Sequence, residues 1–195
     1  MRKLSAFGPI LLMCLLLTAC VVDSENPIGL PESAQIDQRL LGDWVAKNGD
    51  IVHFSAKDAH WMMAVTAPKE PDPAKNPKPD LFFVTSIGDD TYLNMRSVSK
   101  DSKTTYSLFR YTITSDQKLE MWGMSQDEMA AAVRADKLQG TVQDRGTTGK
   151  PPHPDVDVHL TDSSENLVKF ISRHAPTDIF DDETDPMTKV ATKGD

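Results

Sequence analysis

From Leu40 to Met124 the chain repeats one pattern: a short run of alternating apolar residues, then a cluster of turn formers. Successive side chains of a strand point to opposite faces, so such alternation marks half-buried strands. Leu40–Val45 is the first run. It ends at Lys47-Asn48-Gly49-Asp50, where Asn-Gly tolerates the positive φ of a tight hairpin. Ile51–Ser55 follows, then His60–Thr66, with Trp61, Met63 and Val65 on one face. Leu81–Ile87 stops at Gly88-Asp89-Asp90. Thr91–Val98 places Leu93 and Met95 together. Thr105–Thr114 sets Phe109, Tyr111 and Ile113 against Tyr106 and Leu108, and Leu119–Met124 is a seventh strand. An eighth, Val156–Thr161, comes later. The reading is mainly β, with about eight short antiparallel strands in a meander.

Two short helices are expected, at about 125–138 and 163–174. Ser125-Gln126-Asp127-Glu128 fits a capping box, and Gly140 can end the first helix in the left-handed conformation. In the second, Leu167, Phe170, Ile171 and His174 fall on one stripe, and Pro176 stops it. Pro68–Pro79 holds five prolines in twelve residues, so it reads as an exposed stiff flap. Asp144–Pro154 reads as a second loop. The acidic tail at 177–195 lacks pattern and is expected to fray.

The first twenty residues have the parts of a secretory leader. Met1-Arg2-Lys3 is charged, and Ile10–Leu17 is apolar but too short for a span of roughly 20 residues. Leu17-Thr18-Ala19-Cys20 then resembles a bacterial lipobox. That resemblance implies cleavage after Ala19 and a diacylglycerol on the Cys20 thiol. Val21, rather than Asp, follows the Cys, which in similar Gram-negative lipoproteins implies the outer membrane. The expected location is the cell envelope, lipid-anchored on the periplasmic face of that membrane. The expected layout is a leader at 1–19, a lipidated tether at 20–38 and one domain at 39–176.

Cysteine usage agrees with this picture. The two cysteines are Cys14, in the leader, and Cys20. The exported part therefore has no disulfide, although it enters an oxidising compartment, and must be held by its core. Removing Arg2 and Lys3 from 21 basic residues leaves 19 against 29 acidic ones, a formal charge of −10. Nucleic acid and anionic lipid heads repel such a surface, so attachment falls to the lipid.

Gly42-Asp43-Trp44 at the first strand resembles the Gly-x-Trp start of lipocalins and the wider calycin barrels. The layout resembles bacterial lipoproteins with a lipocalin-like, calycin-type domain. The resemblance implies that Gly42 allows a sharp turn and that Trp44 plugs one end of an eight-stranded barrel. The family's Thr-Asp-Tyr motif is missing, since Asp90-Thr91-Tyr92 has another order. The helix between strands seven and eight also departs from the family. An eight-stranded interior is filled by side chains or holds one small ligand. Trp61, Met63, Met95 and Trp122 are the candidate lining of a pocket for a small apolar ligand, because Trp and Met suit permissive apolar sites. A filled core uses the same residues.

Motifs for catalysis are lacking: no Gly-x-Ser-x-Gly, no His-Glu-x-x-His and no P-loop, since Pro151 follows Gly146-Thr147-Thr148-Gly149-Lys150 where a hydroxyl is needed. No enzyme, cofactor or metal is expected. In His153-Pro154-Asp155-Val156-Asp157-Val158-His159, the two His and two Asp share one strand face. Over six residues they spread about 20 Å, too far for one ion, so a solvated face is expected. His53 and His60 flank one hairpin and are read as an exposed polar pair. The leading reading is a non-enzymatic envelope lipoprotein that binds a small apolar molecule. The alternative is a structural or assembly lipoprotein that docks a protein partner through its loops.

Overall fold

The computed structural model describes residues 22–70, 78–99, 101–144, 156–181 and 186–191. Its strands are β1 (Asp23–Ser24), β2 (Gly42–Val45), β3 (Ile51–Ala56), β4 (Met62–Ala67), β5 (Asp80–Ile87), β6 (Asp90–Val98), β7 (Thr104–Ile113), β8 (Lys118–Gly123), β9 (Gly140–Asp144), β10 (Val156–Leu160) and β11 (Met187–Lys189). The helices are α1 (Gln126–Arg134), α2 (Ser164–Ile171) and α3 (Pro176–Ile179), with a 3₁₀ turn at Pro31–Ser33. β2 to β8 pair in sequence as an antiparallel meander, and β11 bridges β8 back to β2. The result is a closed eight-stranded antiparallel barrel, consistent with the lipocalin-like fold expected.

Closure differs from the expectation in one respect. The eighth staves of the barrel is not Val156–Leu160 but Met187–Lys189, inside the tail expected to fray. Met187 pairs with Leu119, and Lys189 pairs with Trp44. Three residues satisfy both edges that an open meander would leave bare. β10 belongs instead to a wing. One edge of β7 pairs with β8 over Phe109–Ile113 and with β1 over Tyr106–Ser107. β10 then runs parallel to β1, and β9 antiparallel to β10.

The split produces two hydrophobic cores. Inside the barrel, Leu40, Trp44, Phe54, Met62, Phe82 and Tyr111 pack with Leu93, Leu119 and Met187. Outside it, Tyr92 and Leu108 of the barrel wall pack beneath α1, α2, α3 and the wing. Val156, Val158 and Leu160 supply the wing's inner face, as the alternation predicts. The sheet is therefore covered on both sides along β5 to β7, and Phe82, Phe83 and Val84 are buried in succession.

Residues 22–38, expected as a tether, are part of the fold. Val22, Ile28 and Ala34 are buried, and β1 is paired on both edges. We call the stretch from Glu25 to Ile36 the strap, since it crosses the outer wall. Ile28 N–H donates to Asn94 Oδ1 at 2.6 Å, Thr85 Oγ1 donates to Ile28 C=O at 2.9 Å, and Asn94 Nδ2 donates to Thr85 Oγ1 at 3.2 Å. Asn94 is fully buried, so this triangle satisfies a polar group that would otherwise oppose folding.

The helix ends also differ in part from the sequence reading. Ser125 precedes α1 but makes no side-chain cap bond. Ser163 does cap α2, accepting from Asn166 N–H. Gly140 does not close α1; it opens β9, where a Cβ would meet His159 C=O at 2.6 Å. Pro176 starts α3, in the first turn where its missing N–H costs nothing.

Candidate functional site

Gly42 sits at φ +110°, a conformation that favours glycine, and turns the chain into β2. Trp44, two residues on, is fully buried in the inner core, and its Nε1–H donates to Leu40 C=O at 2.7 Å. Lys189 lies over the Trp44 ring at 5.2 Å and donates to Arg39 C=O at 2.6 Å. Leu40 belongs to the same core, and Ile36 and Leu41 pack against it. We call this segment leading into β2, packed on the inner core, the plug.

Asp37 ties that plug to the barrel interior. It accepts from Tyr111 Oη at 2.8 Å and from Arg39 Nε and Nη2 at 2.9 and 2.7 Å. Burial opposes the charge on Asp37, but the bonds from Arg39 and Tyr111 outweigh it and hold the carboxyl below its ordinary range. Burial, with the adjacent Asp37 charge, pushes the Tyr111 phenol far above its ordinary value. Tyr111 therefore stays a neutral donor at any physiological pH. Neither Asp37 nor Arg39 carries a signal in the sequence, because they lie outside any periodic run.

The four residues proposed to line a ligand pocket do not come together. Met95 points inward and packs against the barrel core. Met62, not Met63, supplies the inward side chain of β4. Trp61 lies outside against Phe83, ring centroids 5.1 Å apart, with Arg96 over it at 5.9 Å. Trp122 packs toward the outer core beneath Arg110, 4.9 Å from its ring. The space between the strands is occupied by the large side chains of the inner core.

A cleft of about 580 Å³ opens instead at the barrel rim, beside the plug and the end of β5. The strap contributes Ile28, Gly29 and Ser33, and the plug contributes Ile36, Asp37 and Arg39. The end of β5 contributes Val84 to Ile87, with Thr91 of β6 and Val168 of α2 beside it. Val84 belongs to the inner core, whereas Ile28, Ile87 and Val168 pack on the outer one. The cleft thus lies on the seam between the two cores.

The histidines are separated. His53 Nδ1 is 2.7 Å from Asp43 Oδ1, across β2 and β3. His60 Nδ1 is 2.8 Å from Ala34 C=O and fastens the end of the strap. His159 lies between Asp23, at 3.1 Å, and Glu25, at 3.4 Å. Partial burial disfavours its charge, but the two carboxylates prevail and raise its pKa. Among the described residues no three acidic, His or Cys side chains form a metal site. Cys20, His153, Asp155, the phosphate-loop-like 146–150 and most of both expected loops lie outside the described residues.

The chain matches no protein-family model, no curated protein and no solved structure. Its architecture therefore rests on the barrel geometry, and its function on the chemistry of its surfaces.

Proposed function

We propose that this chain is a non-enzymatic envelope lipoprotein, held by lipid on Cys20, whose barrel is a rigid platform for recognition on its outer surface. The filled barrel interior carries this reading. Trp44, Phe82, Tyr111 and Met62 are buried where a hollow barrel would hold its ligand. That occupancy favours docking over storage of an apolar molecule between the strands. Three groups whose ionisation is shifted support the same view. Asp37 and Tyr111 bond each other within the plug, and His159 is clasped by Asp23 and Glu25. Each is thus bonded to side chains of the fold itself.

Two measurements test the proposal. Native mass spectrometry of the full chain, released gently from membranes, should show the polypeptide with its anchor and no molecule retained inside the barrel. A discrete added mass that survives unless the barrel is unfolded refutes the filled-platform reading. Separately, Cys20→Ser should move the chain from the membrane to the soluble fraction. Retention of that variant in the membrane refutes the lipid anchor.

A further inference from the structure

We infer that the cleft at the barrel rim is a binding site for a small uncharged amphiphile: an aliphatic arm carrying a hydroxylated head. The site goes beyond the platform reading and does not depend on the lipid at Cys20. Its volume, about 580 Å³, lies within the range that holds small organic molecules.

The strap makes the cleft by standing away from β5 between two fixed points. Ile28 is clamped to Asn94 and Thr85, and Ala34 is held by His60. Between them Gly29, at φ +76°, turns the chain outward into the 3₁₀ turn at Pro31–Ser33. A Cβ on Gly29 would come within 2.9 Å of Thr85 Cγ2, so the first foot of this arch tolerates no side chain. An arch with both feet bonded is a preformed opening, and a ligand entering it orders little new chain.

The lining selects the ligand's chemistry. Its apolar walls are Ile28, Ile36, Val84, Ile87 and Val168, all aliphatic. Among the described residues no aromatic ring lines the cleft, so these walls offer no stacking surface for a flat ligand. Ser33, Gln35, Ser86 and Thr91 bring hydroxyl and amide groups to it. The Ser33 and Thr91 hydroxyls already donate to Leu30 C=O and Tyr111 C=O and keep lone pairs to accept from a ligand O–H. The exposed Ser86 and Gln35 side chains can donate as well as accept, which matches a hydroxylated head better than a pure acceptor.

Charge in the cleft is internally cancelled. Arg39 is committed to Asp37 through Nε and Nη2, and Asp37 also accepts from Tyr111. An anion entering beside this pair meets the Asp37 carboxylate, and a cation meets the Arg39 guanidinium. A neutral head disturbs neither.

A photoreactive probe tests the site. Monohexanoyl glycerol with a diazirine at the end of its acyl chain is added to the full chain in membranes, irradiated, and mapped by peptide mass. Adducts should concentrate on Ile28–Ile36, Val84–Thr91 and Val168. Excess unlabelled monohexanoyl glycerol should remove them, and hexanoate at equal concentration should not. Ser86→Trp and Gln35→Trp, both at exposed positions, should each cut labelling about tenfold, the effect of losing roughly 1.4 kcal/mol of affinity. The soluble Cys20→Ser chain should label like the parent, which separates this site from the anchor. Adducts scattered over the surface, or labelling unchanged in both Trp variants, overturn the site. Equal competition by hexanoate overturns the neutral head.

Discussion

Replacing Asn94 by Ala should release the strap and weaken the whole domain. Asn94 is fully buried on β6 and serves two partners, accepting from Ile28 N–H at 2.6 Å and donating to Thr85 Oγ1 at 3.2 Å. An orphaned buried donor costs about 1–3 kcal/mol, and a lost hydrogen bond about 1 kcal/mol more. The expected loss is therefore about 2–4 kcal/mol, or a Tm lowered by roughly 4–16 °C for a chain of this size. Urea unfolding gives the free energy, and amide exchange locates it. The Ile28 amide should lose protection first, because its acceptor is gone while most of the barrel ladder remains. Thr85→Val is nearly isosteric and breaks the other two sides of the triangle, so it should cost about 1–2 kcal/mol. The double variant should cost less than the sum, because the bonds share atoms. A loss below about 0.5 kcal/mol for Asn94→Ala, or strict additivity, refutes the clasp as the strap's fastening.

Met187→Ala should destabilise by about 2–5 kcal/mol despite lying in the last few residues, since Met187 is a buried part of the inner core; an effect below about 0.5 kcal/mol in urea unfolding contradicts closure by β11. His159, raised by its carboxylates, stabilises the fold fully below the unfolded value of about 6.5, and that contribution disappears as pH rises through the folded pKa. Imidazole titration by NMR should show a midpoint above 6.5, returning toward it in Asp23→Asn, Glu25→Gln. Asp162 behaves oppositely. Burial opposes its ionisation, yet bonds from Gln139, Asn166 and Ser163 hold its pKa down. Its contribution is present above the unfolded value of about 3.9 and is lost as pH falls through the folded pKa. Acid unfolding of Asp162→Asn should therefore show a weaker pH dependence in that range, and an unchanged slope excludes the linkage.

Alternation made much of the barrel readable. It grouped Leu93 with Met95, and Phe109 with Tyr111 and Ile113, on shared faces, and the structure turns those faces inward. It could not say which face of β4 is inside. Trp61 and Met63 look as buried as Met62 because the outer wall is itself partly covered, and Trp61 rests on the buried Phe83. Two covered faces erase the contrast on which a period of two depends. The wing and the closing strand were harder still. β1 has two residues and β11 three, too few to show a period, and both are ordered by partners distant in sequence. The cleft has no sequence signature for the same reason. Ile28, Val84 and Val168 meet only because the strap, β5 and α2 converge there.

Val22, only two residues after Cys20, is buried and directly precedes β1 (Asp23–Ser24). Two residues span about 7 Å at full extension. A lipid on Cys20 would then give the domain almost no leash. Its search volume would be a thin shell against the leaflet, not the width of the compartment. Anything it meets must come to the membrane, and would meet it at high local concentration once there. Pulling on such an anchor would load β1, clamped between β7 and β10, so the same short connection that limits reach would transmit force directly into the sheet.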